Sequence, residues 1–250
     1  TVAEFKGKMA IGVHLNEVFS IPRSLMSMTN LLMAIGTEPE LVRALADMSV
    51  DVHLEMAKEV ADRDVDFVWT GDDYAYNSGP FMSPQHFRDL FYPGLKRFAQ
   101  GCRELELPFI KHCDGNIEPI VDMMIDSGIT ALDPIDPQGG MDLADIKARY
   151  GDRVAIKGNV DCGDVLSYGT PEDVIAETRR ALEQGMPGGG FICSSSNSIH
   201  SAVNPENYRI MMETIREEGR YGRDWDQGPG TRAPGRCIED GDCDGLPDGH

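Results

Sequence analysis

The chain has 250 residues, a hydrophobic share of 41% and a formal net charge of −19. That is material for one large α/β domain, and it is too acidic for nucleic acid or an anionic membrane surface as a partner. No apolar run approaches the roughly 18 residues that a bilayer span needs, and the first residues carry no signal-peptide pattern. The six cysteines (102, 113, 162, 193, 237 and 243) stand far apart and mostly in apolar segments. This is the usage of reduced thiols in the cytoplasm rather than of a disulfide framework.

In chain order, strand-like and helix-like segments alternate. Lys8 to Leu15 reads as a strand that ends at Asn16 and Glu17. A long amphipathic helix follows from Glu38 to Arg63, with Leu41, Leu45, Met48, Val52, Glu55, Met56 and Val60 near a three-to-four spacing on its apolar face. Val65 to Trp69 is the second strand, closing in Gly71-Asp72-Asp73. Ser83 caps a helix that opens with Pro84 and runs to about Gln100. The third strand covers 108–112, and a helix over 117–127 ends at Gly128. Ile129 to Leu132 is the fourth strand, closing in Asp133-Pro-Ile-Asp136, and Asp142 caps a helix to Tyr150. Val154 to Lys157 is the fifth, ending in Gly158-Asn-Val-Asp161; Thr170 caps a helix from Pro171 to about Gln184. Gly190 to Cys193 is the sixth strand, and a last helix spans Pro205 to Glu218. Residues 219–250 lose all apolar periodicity and read as a disordered acidic tail rich in Gly and Pro. Within it, Asp240 to Asp248 imitates part of a calcium loop but lacks the glutamate at position 12 and flanking helices.

Six βα units in succession predict a parallel sheet covered by helices, with polar residues gathered where each strand ends. Such a layout suits a (βα)8 TIM barrel whose active site lies at its carboxyl face, with six units present and two absent. A doubly wound sheet usually brings a Gly-rich phosphate loop after its first strand, and none is present; Gly188-Gly-Gly190 precedes its strand and reads as a turn.

The chemistry centres on Pro108-Phe-Ile-Lys-His-Cys-Asp-Gly115. Alternation along a strand puts His112 and Asp114 on one face and Cys113 on the other. An imidazole and a carboxylate on one face are two of the three protein ligands of a catalytic zinc site, and Cys193, at the end of a similar strand, is the candidate third. The alternative is a buried histidine beside a helix-capping aspartate. Asp72 or Asp73 would hold the substrate or orient His112, or else cap the loop after the second strand. Asn159 and Asp161 are candidates for a catalytic or a loop-shaping role. His14, His53 and His86 read as packing or surface residues and His200 as a spare ligand.

Together, Asp72-Asp-Tyr74, Gly79-Pro-Phe-Met-Ser-Pro-Gln-His-Phe87, His112-Cys-Asp-Gly-Asn116, Lys157-Gly-Asn-Val-Asp161 and the run from Gly188 to Asn207 resemble the uroporphyrinogen decarboxylase superfamily. The resemblance, over about residues 8 to 218, implies a (βα)8 barrel whose first portion, with an Arg-rich substrate-binding segment in true decarboxylases, lies outside this chain. The superfamily also holds zinc-dependent methyltransferases that exchange methyl groups with a corrinoid. The branch that resembles coenzyme M methyltransferases uses a His-x-Cys pair and a distant Cys; here the resemblance aligns His112 with the histidine, Asp114 with the first cysteine and Cys193 with the second. True decarboxylases carry small and apolar residues in place of His112-Cys-Asp, and a Gly-His-Gly-like turn where this chain has Ser196-Asn-Ser198. These departures favour zinc as cofactor, a corrinoid protein as partner and a small-molecule methyl donor or acceptor. Decarboxylation of a tetrapyrrole and a non-catalytic barrel are the alternatives.

Overall fold

A computed structural model describes residues 2–221. Six strands, β1 (Gly12–Leu15), β2 (Phe67–Thr70), β5 (Phe109–His112), β6 (Ala131–Asp133), β7 (Ala155–Val160) and β8 (Phe191–Ser195), form one sheet. A small antiparallel hairpin, β3 (Ala75–Tyr76) with β4 (Gly79–Pro80), sits between β2 and β5 in the chain. Every pair in the large sheet is parallel, and its strands lie side by side in chain order. A doubly wound sheet reverses its order at a switch point, whereas a barrel never does. The expected α/β architecture is therefore present as six successive units of a (βα)8 barrel.

The helices are α1 (Val2–Phe5), α2 (Ser20–Met26), α3 (Met28–Thr37), α4 (Pro39–Ala61), α5 (Pro84–Leu90), α6 (Tyr92–Glu104), α7 (Val121–Asp126), α8 (Leu143–Tyr150), α9 (Val165–Tyr168), α10 (Pro171–Gly185) and α11 (Pro205–Glu218). Where the sequence offers a side-chain cap, the helix starts there. Ser83 accepts from the His86 N–H, Asp142 from that of Asp145, and Thr170 forms a full capping box with Asp173. The segment predicted as one helix to Gln100 is two, because Pro93 has no N–H to continue the ladder and α6 restarts at Tyr92. Neither α2 nor α3 was expected. No local side chain caps α2; the Asp72 carboxylate does so from about fifty residues away, accepting from the N–H groups of Glu17, Phe19 (2.7 Å) and Ser20 (3.1 Å).

The long helix exists as expected, but it buries a different face. Val42, Ala46, Ser49, Val50, His53 and Ala57 point inward, while Leu41, Met48, Val52 and Met56 are exposed. A stripe of mostly small residues lets α4 approach α6 closely. A Cβ at Gly94 of α6 would lie 3.2 Å from the Val50 side chain, so the glycine is what admits the contact. The larger Leu and Met side chains of the neighbouring stripe do not fit that spacing.

No helix among the described residues is long and apolar enough to cross a membrane. Cys102, Cys113, Cys162 and Cys193 are free thiols. The tail from 222 onward, with its calcium-like loop, lies outside the described residues.

Candidate metal centre

β5 carries charge on both faces. The Phe109 ring meets that of Phe98 on α6 edge-on, with centroids 5.1 Å apart, so Phe109, Lys111 and Cys113 face the helices. Ile110, His112 and Asp114 face the other way, toward the mouth of the sheet. Gly115 then turns with φ +82°, and a Cβ there would come within 2.6 Å of the Tyr76 backbone. Only glycine lets the loop after β5 lie against the hairpin, where Asn116 N–H bonds to Tyr76 O at 3.0 Å.

On the mouth side, His112 is almost fully buried among three carboxylates. Its Nδ1 lies 2.8 Å from Asp133 Oδ2, and its Nε2 lies 3.2 Å from Asp114 Oδ1 and 3.9 Å from Asp73 Oδ1. Ligand atoms of Asp73, His112 and Asp114 all fall within 4.8 Å of one another. Asp114 is held by its own N–H on Asp73 Oδ1 (3.0 Å) and by the Asn197 amide on its Oδ2 (2.8 Å). Its Oδ1 is buried with no well-directed hydrogen bond, and its charged neighbour is the imidazole at 3.2 Å. Burial alone would oppose protonation of His112, but Asp114 and Asp133 outweigh it and raise the imidazole to about 9. Asp133 is a hub: Oδ2 also accepts from Trp69 Nε1 (3.2 Å), and Oδ1 from Lys157 Nζ (2.8 Å). Burial would push its carboxyl up, yet His112 and Lys157 hold it below the ordinary range.

Of the residues singled out in the sequence, His112, Asp114 and Asp73 come together and the others do not. Cys193 is not in the cluster. Phe191 packs against Gly185 of α10, and Cys193, two residues on, shares that helix-facing side. Burial drives its thiol up to about 12, and its nearest charges are Arg180 and Glu177 of α10. Asp72 is the remote cap of α2. The carboxylate that orients His112 is Asp133, not Asp72 or Asp73; it stands opposite His112 in the β5–β6 register, a neighbour that pairing fixes and sequence spacing hides. Asn159 is buried, donates to Ile135 O at 3.0 Å and accepts from Arg180 Nη2 at 3.0 Å; these are loop-fixing bonds. Asp161 accepts from Gly163 N–H and likewise shapes its turn. His200 is exposed and accepts from Ala202 N–H at 3.2 Å. Asn197 is the participant that carries no chemical signal in the sequence.

Comparison with known proteins gives the same frame. The profile of the family described as uroporphyrinogen decarboxylase (URO-D) matches residues 1–218. The chain belongs to the URO-D family. Curated relatives include the uroporphyrinogen decarboxylases of Psychromonas ingrahamii (27% identical, covering 72% of this chain and 49% of that protein) and Chlorobium limicola (28%, 56% and 40%). That of Vibrio campbellii is 24% identical, over 76% of this chain and 52% of the relative. The chain thus spans about half the length of these URO-D relatives. A methyltransferase from Methanosarcina mazei superposes with a TM-score of 0.72 at 20% identity, covering 88% of this chain and 62% of that one; this establishes a shared fold.

The donor set passes a chemical test for a metal. Imidazole nitrogen and carboxylate oxygen are both zinc ligands, and two ligands of a tetrahedral zinc site sit roughly 3.3 Å apart. The His112–Asp114 pair is already at that spacing, and Asp73 Oδ1, at 3.9 Å from the imidazole, stands roughly half an ångström beyond it. A cation between them would satisfy Asp114 Oδ1, and Asp133 on Nδ1 would fix which imidazole nitrogen faces it.

Proposed function

We propose that this URO-D-family chain is the barrel of a zinc-dependent methyltransferase that moves a methyl group between a corrinoid protein and a small substrate. His112, Asp114 and Asp73 would hold the metal. The observation that carries the reading is their convergence, with the buried Asp114 Oδ1 facing the His112 imidazole at 3.2 Å but given no well-directed hydrogen bond. Bound zinc would act as a Lewis acid that polarises the substrate heteroatom or lowers a thiol's pKa.

The chain's own residues do the rest. Asp133 holds the His112 ring, and the Trp69 N–H and Lys157 ammonium hold Asp133, so the imidazole is aimed by a preorganised shell. Asn197 and the Asp114 main chain fix the second carboxylate. Two carboxylates leave a metal harder than a set with two thiolates would, which favours an oxygen or nitrogen substrate over a thiol.

Decarboxylation of a tetrapyrrole is the second reading, favoured by the names of the curated relatives. Metal analysis followed by a spectral assay with methylcobalamin separates the two. The methyltransferase reading expects about one zinc per chain and corrinoid demethylation that stops on chelation. Release of CO2 from uroporphyrinogen, undiminished by chelation, would overturn it.

A further inference from the structure

Among the described residues, two cavities open at the mouth, and both border the segment from Ser196 to Ser198. The larger, of about 360 Å3, is lined by Asp114, Asp136 and the hairpin, and by no lysine or arginine. The smaller, of about 220 Å3, reaches His112 and is walled by Trp69, Ile199 and Lys157. Among the described residues, Lys157 is thus the sole lysine or arginine lining either cavity, in a chain of net charge −19. Its ammonium has three N–H donors. One is accepted by Asp133 Oδ1 at 2.8 Å, and the side chain remains 27% exposed. Asp133 is itself shared, since Oδ2 serves His112 and Trp69. A carboxylate with three donors around it leaves the ammonium only partly compensated.

We infer that Lys157 makes the smaller cavity a receptor for a small molecule carrying a single carboxylate on a flat apolar frame. The ammonium takes the carboxylate through its remaining donors, a charge-assisted bond at a site partly shielded from water. The Trp69 ring and the Ile199 side chain, itself 46% exposed, take the apolar frame. The volume lies below the range of pockets for drug-sized ligands and admits about one ring. Asp133 also lines this cavity and Asp114 and Asp136 line the neighbouring one, so further carboxylates on a substrate would face like charge.

This inference rests on the mouth being the reactive site, and it deepens that reading by naming the substrate's charged group. It does not need the metal to be bound, so the decisive measurement uses metal-free protein. Titration calorimetry of the chain, stripped of metal, with benzoate and with benzamide compares the same frame with and without the charge. Benzoate is expected to bind at least tenfold more tightly than benzamide. The preference should shrink to within twofold in Lys157→Gln and persist in Lys157→Arg. Equal affinities in the unsubstituted protein, or a preference that survives Lys157→Gln, would overturn the inference and leave Lys157 as the counter-ion of Asp133. The comparison in the unsubstituted protein decides the matter even where a variant does not fold. A carboxylate preference in a chain that takes up no zinc when the metal is added back would sink the metal reading and leave the receptor standing.

Discussion

The two faces of β5 hold two charge clusters one residue apart, and they are built on opposite plans. On the helix side, Lys111 and Glu17 are both fully buried and ion-paired. The ammonium also donates to the carbonyls of Asp72 and His112 (2.9 Å for the latter) and lies 4.2 Å over the Tyr74 ring, whose hydroxyl donates to Glu17 at 2.9 Å. The opposite charges are paired directly and water is excluded, with the buried Asp72 carboxylate nearby tied down by the backbone N–H groups of α2. On the mouth side, three carboxylates surround one imidazole, and cavities reach the cluster. A sealed, ion-paired cluster serves to lock backbone, here the ends of β2 and β5 that carry Asp73 and Asp114. An anion-rich cluster open to solvent is a place for a cation. The contrast separates scaffold from site where residue types alone do not.

The largest expected effect breaks the sealed cluster. Lys111→Met leaves Glu17, already pushed up to about 7 by burial, without its cation. Removing one partner of a buried pair costs about 3–5 kcal/mol. Denaturant unfolding should show that loss, and adding Glu17→Gln should restore more than half of it. A Lys111→Met protein as stable as the parent would mean that the pair locks nothing.

Next in size is a pH effect confined to the open cluster. In metal-free protein, His112 titrates at about 9 against an ordinary 6.5. The folded state then binds more protons than the unfolded state between these values. The stabilisation is complete below pH 6.5 and is lost as pH rises through 9. The shift corresponds to about 3 kcal/mol as an upper bound, counted once because the lowered Asp133 carboxyl reports the same ion pair. Unfolding midpoints of chelated protein at pH 6 and pH 9.5 should differ accordingly, and His112→Gln should flatten the difference. A smaller change follows from Asp133→Asn, which keeps shape but loses the charge behind His112. Zinc affinity, read by competition with a chromogenic chelator, should fall about 10–100-fold.

These residues show how far the sequence could be read. Strand ends and helix starts were legible because caps and polar strand ends are local signals: Ser83, Asp142 and Thr170 cap where expected. His112 and Asp114 followed from alternation within one strand. What depended on tertiary pairing was not legible. Asp133 reaches His112 through sheet register, and Asp72 caps a helix far from it in sequence. The buried stripe of α4 was misassigned because larger apolar residues outscored the small ones that close packing selects. Cys193 carries the same strand-end signal as the end of β5, but the face of β8 it occupies is set by packing on α10, which that signal does not encode.

The smallest expected effect tests that last point. Phe191 contacts α10, so Cys193 shares its side and Ser194 takes the other. Reaching His112 would require Cys193 to turn through the sheet, which exchanges the faces of all its neighbours along β8. Its thiol, raised to about 12, is also far from the thiolate form that binds metal. Cys193→Ala should therefore leave zinc stoichiometry unchanged and affinity within about twofold, whereas His112→Ala and Asp114→Ala should each abolish retention on a desalting column. The comparison is internal, since all three variants remove one candidate ligand. If Cys193→Ala instead loses its zinc as His112→Ala does, β8 is registered one residue away from the arrangement described, and the thiol belongs to the open cluster.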